Sequence, residues 1–112
     1  MIVKVNFSPE DSAVPNEFIT DSGAGYSSDR GYGWVSQSSL NSGNPTPIDI
    51  SSNTRDRDSN SGFAADTLIH LQYPEDLVSP IAEISVKTPS AWEHDIANGS
   101  YFVTVGVGDS DF

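Results

Sequence analysis

The chain contains no cysteine. Disulfides and thiolate zinc sites are therefore excluded, while the compartment stays open, because many bacterial extracellular domains lack disulfides. Basic residues are scarce: 5 lysines and arginines stand against 16 aspartates and glutamates, a formal net charge of -11. A phosphate backbone or an anionic bilayer surface is repelled by such a chain, so nucleic-acid and membrane-surface binding are disfavoured. The plain meaning of the acidity is solubility. A second meaning is adaptation to a salty or calcium-rich exterior. No apolar run is long enough to span a membrane, and no membrane insertion is expected. The start, Met1 to Phe7, is followed by neither a long apolar segment nor a cleavage pattern, so it reads as a strand rather than a signal peptide. An exported domain of this kind would take its signal from a longer parent chain. Long amphipathic helices are missing too, because glycine, proline and serine interrupt the chain too often.

What is present is a β pattern. The 112 residues, 36% of them hydrophobic and 10% aromatic, suit a single domain over 1–112 with a modest core. Ile2 to Phe7 alternates apolar and polar positions, a short strand is expected at Glu17 to Thr20, and Tyr32 to Val35 reads as a short aromatic strand. The stretch 36–65 is long, polar and rich in Ser, Asn, Asp and Pro, and is expected to be a functional loop. Asp66 to Tyr73 is a further strand. Ile81 to Lys87 follows, with Ala82, Ile84 and Val86 inward and Glu83, Ser85 and Lys87 outward. The end of the chain carries the strongest local signal. Asn98-Gly99 suits a two-residue type I′ turn, which would place Ile96 opposite Tyr101, His94 opposite Val103 and Trp92 opposite Val105 in a β-hairpin. Short strands separated by turn chemistry indicate an all-β sandwich.

Four segments together resemble a known family: Val5-Asn6-Phe7, Tyr32-Gly33-Trp34, Thr54-Arg55-Asp56-Arg57 with Asp66-Thr67-Leu68-Ile69-His70-Leu71-Gln72, and Trp92-Glu93 with Asn98-Gly99-Ser100-Tyr101 and Val105-Gly106-Val107-Gly108-Asp109. They look like the malectin-like, galactose-binding-like modules of large bacterial surface and secreted proteins. The resemblance implies an antiparallel jelly-roll β-sandwich that is non-catalytic, binds carbohydrate through loop residues at one end, and lies outside the cell or on its surface. Two departures stand out. Ile81 to Pro89 resembles an insertion, and the family pattern continues for several strands beyond Gly108-Asp109. The resemblance therefore implies a sandwich cut short at the C-terminus, as a natural short variant, a fragment, or half of a domain completed by another chain. The strand Tyr101 to Val107 would be left as an apolar edge, to be covered by a second copy or a neighbouring segment.

The ligand-binding set read from the sequence is Tyr26, Tyr32, Trp34, Arg55 and Arg57. Aromatic rings in the glycine-rich stretch Gly23 to Trp34 can stack on the apolar face of a sugar. Tyr32 and Trp34 also read as core residues of a short strand. Arg55 and Arg57 can fork onto hydroxyls or carboxylates. Their plainer role is to pair with Asp56, Asp58 or Asp66 and pin the loop. Asp56, Asp58, Asn60 and Gly62 alternate as calcium ligands do, though the glycine falls one residue late and Thr67 stands where an EF-hand needs its glutamate. Asp109 and Asp111 are further candidates for calcium.

Catalysis is not expected. His70 and His94 read as structural, and neither a Gly-x-Ser-x-Gly elbow nor a His-Glu-x-x-His motif occurs. Paired carboxylates of the glycosidase kind occur in any acidic chain and carry no signal alone. Asn6 and Asn98 fall in glycosylation patterns but are explained by strand and turn positions. The sequence thus points to a non-catalytic carbohydrate-binding or adhesion module of a larger exported protein. The alternatives are a structural, calcium-stabilised spacer and an accessory domain of a polysaccharide-active enzyme.

Overall fold

In the computed structural model, the described residues are 2–57, 67–73, 80 and 84–107. The strands are short: β1 (Val5–Phe7), β2 (Ile19–Asp21), β3 (Tyr32–Ser36), β4 (Thr54–Asp56), β5 (Thr67–Ile69) and β6 (Ser90–His94). They form three two-stranded sheets, β1–β2, β3–β6 and β4–β5. No long helix occurs among the described residues; 3-10 turns lie at Gln37–Ser39 and Ser51–Asn53. The fold is thus β-rich, as the composition implies. It departs from a wholly antiparallel design where β1 and β2 run parallel, with Val5 beside Ile19 and Phe7 beside Asp21, and at the isolated parallel bridge between Gly25 and Trp34.

The centre is an aromatic layer. In the antiparallel β3–β6 pair Trp34 lies opposite Trp92 and Tyr32 opposite His94, so these four side chains share one face. Phe7 from β1 meets both indoles edge-on, with ring centroids 5.6 Å from Trp34 and 5.5 Å from Trp92. Trp34 is 2% exposed and packs with Ile50 and Ile69, and Phe7, Ile48, Val86 and Trp92 close around them. Removing a ring of that size from water contributes roughly 4–6 kcal/mol at most. Asp21 fixes the layer from β2. Its Oδ1 accepts the Trp34 Nε1–H (3.0 Å) and the Gly23 N–H (2.9 Å), and its Oδ2 accepts the Trp92 Nε1–H (2.8 Å).

The polar stretch 36–65 is not simply a loop. Its described part contains β4, and Ile50 and Asn53 within it are fully buried. The Asn53 side chain donates to the His70 and Val86 carbonyls and accepts the Val86 N–H, at 2.9, 2.9 and 2.7 Å. One amide thereby ties three segments together. The alternation expected for Ile81 to Lys87 holds only in part where it is described: Val86 packs against the core, but Ile84 is 68% exposed, and Ser85 is buried where it accepts an Arg55 Nη2–H bond at 3.0 Å.

The terminal hairpin does not form. Neither Asn98 nor Gly99 has the positive φ that a type I′ turn requires. Residues 101–107 form no strand, and Phe102, Val103, Val105 and Val107 are exposed. The hydrogen-bond alternation of β6 gives the reason. In β3, the backbone groups of Tyr32, Trp34 and Ser36 bond away from β6, to Ser27, Ala24, Tyr26, Ile48 and Thr46. That leaves Gly33 and Val35 to bond across to Glu93 and Ala91, and Asp95 N–H continues the series onto the Gly31 carbonyl at 2.6 Å. A two-residue turn at Asn98-Gly99 would require the backbone groups of Glu93 and Asp95 for the returning strand. They are already taken by β3, and pairing Trp92 with Trp34 buries more aromatic surface than pairing it with Val105.

Candidate functional site

The outer edge of β3 is shared by two segments. Trp34 donates its N–H to Ala24, and its carbonyl accepts both Tyr26 N–H (2.9 Å) and Ile48 N–H (3.1 Å), while Ser36 N–H reaches the Thr46 carbonyl (2.9 Å). Segment 24–27 thus runs along one half of the edge and segment 46–48 along the other. Between them lies an open cleft of about 590 Å³, lined by Tyr26, Ser28, Asn44, Pro45, Thr46, Pro47 and Glu93.

Local sequence explains both walls. Gly33 has φ of +144°, and a Cβ there would stand 2.5 Å from the Tyr26 Cα, so only glycine lets the Tyr26 backbone lie flat on β3. The opposite wall is braced by serines. Ser36 Oγ donates to Ser39 Oγ (2.9 Å), Ser39 Oγ donates to the Ser36 carbonyl (2.8 Å) and accepts Thr46 N–H (2.9 Å), and Ser42 Oγ accepts Asn44 N–H (3.3 Å). Pro45 and Pro47 suit the edge position, where a missing N–H costs nothing. Glu93 reaches the cleft because it alternates with Trp92 and His94 and so faces away from the aromatic layer.

Tyr26 is the one expected ligand residue in this cleft. Its hydroxyl donates to Asp95 Oδ2 at 2.7 Å. The phenol is thereby pushed above its ordinary value of 10.0, first by the Asp95 hydrogen bond, then by desolvation, then by the charges of Asp95 and Glu93. Tyr32 lies on the other face of the sheet, stacked on His94 at 5.7 Å and 12° and covered by the Arg30 guanidinium at 5.6 Å. Trp34 is in the core and offers no face to solvent.

Arg55 is committed internally: Nη1 donates to the Ser52 and Thr54 carbonyls at 2.7 Å each, and the guanidinium lies 5.4 Å over the Tyr73 ring. It ties the stretch together through the Ser52 and Thr54 carbonyls, while Asp58 and Asp66, named for it in the plainer reading, lie outside the described residues. Arg57 is half-buried just after β4. Asp56 accepts Ser12 Oγ–H at 2.8 Å. The other calcium candidates, Asp58, Asn60, Asp109 and Asp111, lie outside the described residues. Among the described residues no group of three or more His, Cys, Asp or Glu side chains gathers in a metal-holding arrangement. No helix there is long and apolar enough to cross a membrane. His70 packs edge-on against Tyr73 and His94 against Tyr32 and Trp92, so the two histidines stand in different surroundings.

Sequence reasoning missed Glu93, Asn44, Asp95 and the Pro45–Pro47 wall. Pro-Thr-Pro is an edge-strand signal, and it could have placed 45–47 on a sheet margin, but nothing local brings Glu93 to it. No family model matches the chain, and no curated protein or solved structure matches it either.

Proposed function

We propose that the chain is a non-catalytic carbohydrate-binding module of jelly-roll, galactose-binding-like type, carried by a larger exported protein and binding sugar in the Tyr26 cleft. The observation that carries this reading is the composition of that cleft. A half-buried tyrosine and two prolines supply apolar surface, and Ser28, Asn44, Thr46 and Glu93 supply hydroxyl, amide and carboxylate groups. Such a mixture suits a pyranose, whose C–H face lies on the ring while its hydroxyls meet the polar groups. The malectin-like resemblance adds to it.

Affinity electrophoresis in polysaccharide gels tests the reading. Wild type is retarded by at least one polysaccharide, Tyr26→Ala weakens that affinity at least about tenfold, equivalent to about 1.4 kcal/mol, and no reducing sugar is released. Absence of retardation on every polysaccharide would overturn it.

The second reading, a structural spacer, is favoured by the internal use of Trp34 and Arg55. Its calcium-stabilised form requires a higher melting midpoint in calcium than in chelator, and equal midpoints remove that form.

A further inference from the structure

We infer that the Tyr26 cleft accepts neutral and amino sugars and rejects uronic or sulfated ones, an inference that rests on the carbohydrate-binding reading above.

The charge in and around the cleft is of one sign. Glu93 lines it, and among the described residues no Lys, Arg or His does. Asp95, two residues on from Glu93 and just past the end of β6, holds the Tyr26 hydroxyl at 2.7 Å. Asp29 follows the lining residue Ser28 on the exposed turn, its N–H bonded to Ser27 Oγ at 3.2 Å. The nearest cation in sequence, Arg30, is turned elsewhere: its Nη2 donates to the Gly25 and Tyr32 carbonyls, and its guanidinium lies over the Tyr32 ring in the aromatic layer. The wider field points the same way, with a net charge of -11.

The upward push on the Tyr26 phenol follows from the same two carboxylates, first through the Asp95 hydrogen bond, then through desolvation and the charges of Asp95 and Glu93. A ligand carboxylate or sulfate entering here would lose water beside Glu93 without gaining a cation. A ligand ammonium gains a carboxylate partner, and a neutral hydroxyl donates to that carboxylate at no charge cost.

Calorimetric titration with short, soluble oligosaccharides tests this without the non-specific capture a polycation gel would cause. The probes are glucan, glucosamine and galacturonan oligomers of equal length, at low salt. Glucan or glucosamine oligomers bind at least tenfold more tightly than galacturonan oligomers. Glu93→Gln narrows that ratio at least threefold, whereas Glu10→Gln, an equal change in net charge at an exposed residue outside the cleft, leaves it unchanged. Galacturonan binding as tight as or tighter than the others would overturn the inference and leave carbohydrate binding standing. Equal effects of Glu93→Gln and Glu10→Gln would overturn the assignment to this cleft. Binding of none of the oligomers would overturn both readings together.

Discussion

At the residue scale, buried polar side chains organise the centre as much as apolar ones do. Asp21 accepts two indole N–H groups and a backbone N–H. Removing it leaves those donors without their acceptor, two of them in buried positions. Asp21→Ala should therefore cost about 1–3 kcal/mol, visible as a lower thermal midpoint, and an unchanged midpoint would contradict the role. None of this is legible locally, because Asp21 sits in a glycine-flanked turn signal and its partners are distant in sequence. Tyr26 carries a second prediction. Its raised folded-state value means the neutral phenol is favoured on folding. That contribution is present below the ordinary value of 10.0 and is lost as pH rises through the higher folded-state value. Alkaline titration by ultraviolet absorbance should show Tyr26 ionising at lower pH in Asp95→Asn than in wild type. Unaltered titration in that variant would break the assignment.

At the element scale, strands that stand on aromatic or β-branched residues were readable. Tyr32 to Val35 became β3, and the run containing Val5-Asn6-Phe7 became β1. The hairpin was misread because local turn preference says nothing about which backbone groups a third strand has already engaged. Ile84 and Ser85 exchanged their expected sides because Arg55, fixed by carbonyls, offers Ser85 a partner. The Tyr101–Val107 segment carries an apolar alternation yet stays exposed. Replacing Val103 and Val105 together by lysine should move stability by no more than about 0.5 kcal/mol. A fall of several degrees in the thermal midpoint would show that the segment packs in solution.

At the scale of the whole molecule, the apolar core is small and the acidic excess is large. Four hydrophobic side chains are buried among the described residues, Trp34, Val35, Ile50 and Ile69, beside seven polar ones. Charge repulsion therefore weighs on a fold with little apolar reserve. Raising ionic strength from about 0.02 to about 0.5 M shortens the screening length several-fold, and the thermal midpoint should rise; a falling midpoint would show that attractive pairs dominate instead. The candidate site also belongs to this scale. Tyr26 was marked by its glycine-rich setting, but the cleft exists only because segments 24–27 and 46–48 share one edge of β3 and Glu93 projects from β6. Arg55, conspicuous among aspartates in sequence, was drawn inward by backbone carbonyls that no sequence pattern reveals.

The most direct test of the account is an amide chemical-shift titration of the isotope-labelled chain with the oligosaccharide that binds best. Shifts confined to residues 24–28, 44–48 and 93–95 are the predicted result. Shifts centred on Arg55 and Tyr73, or none with any oligosaccharide, would contradict it.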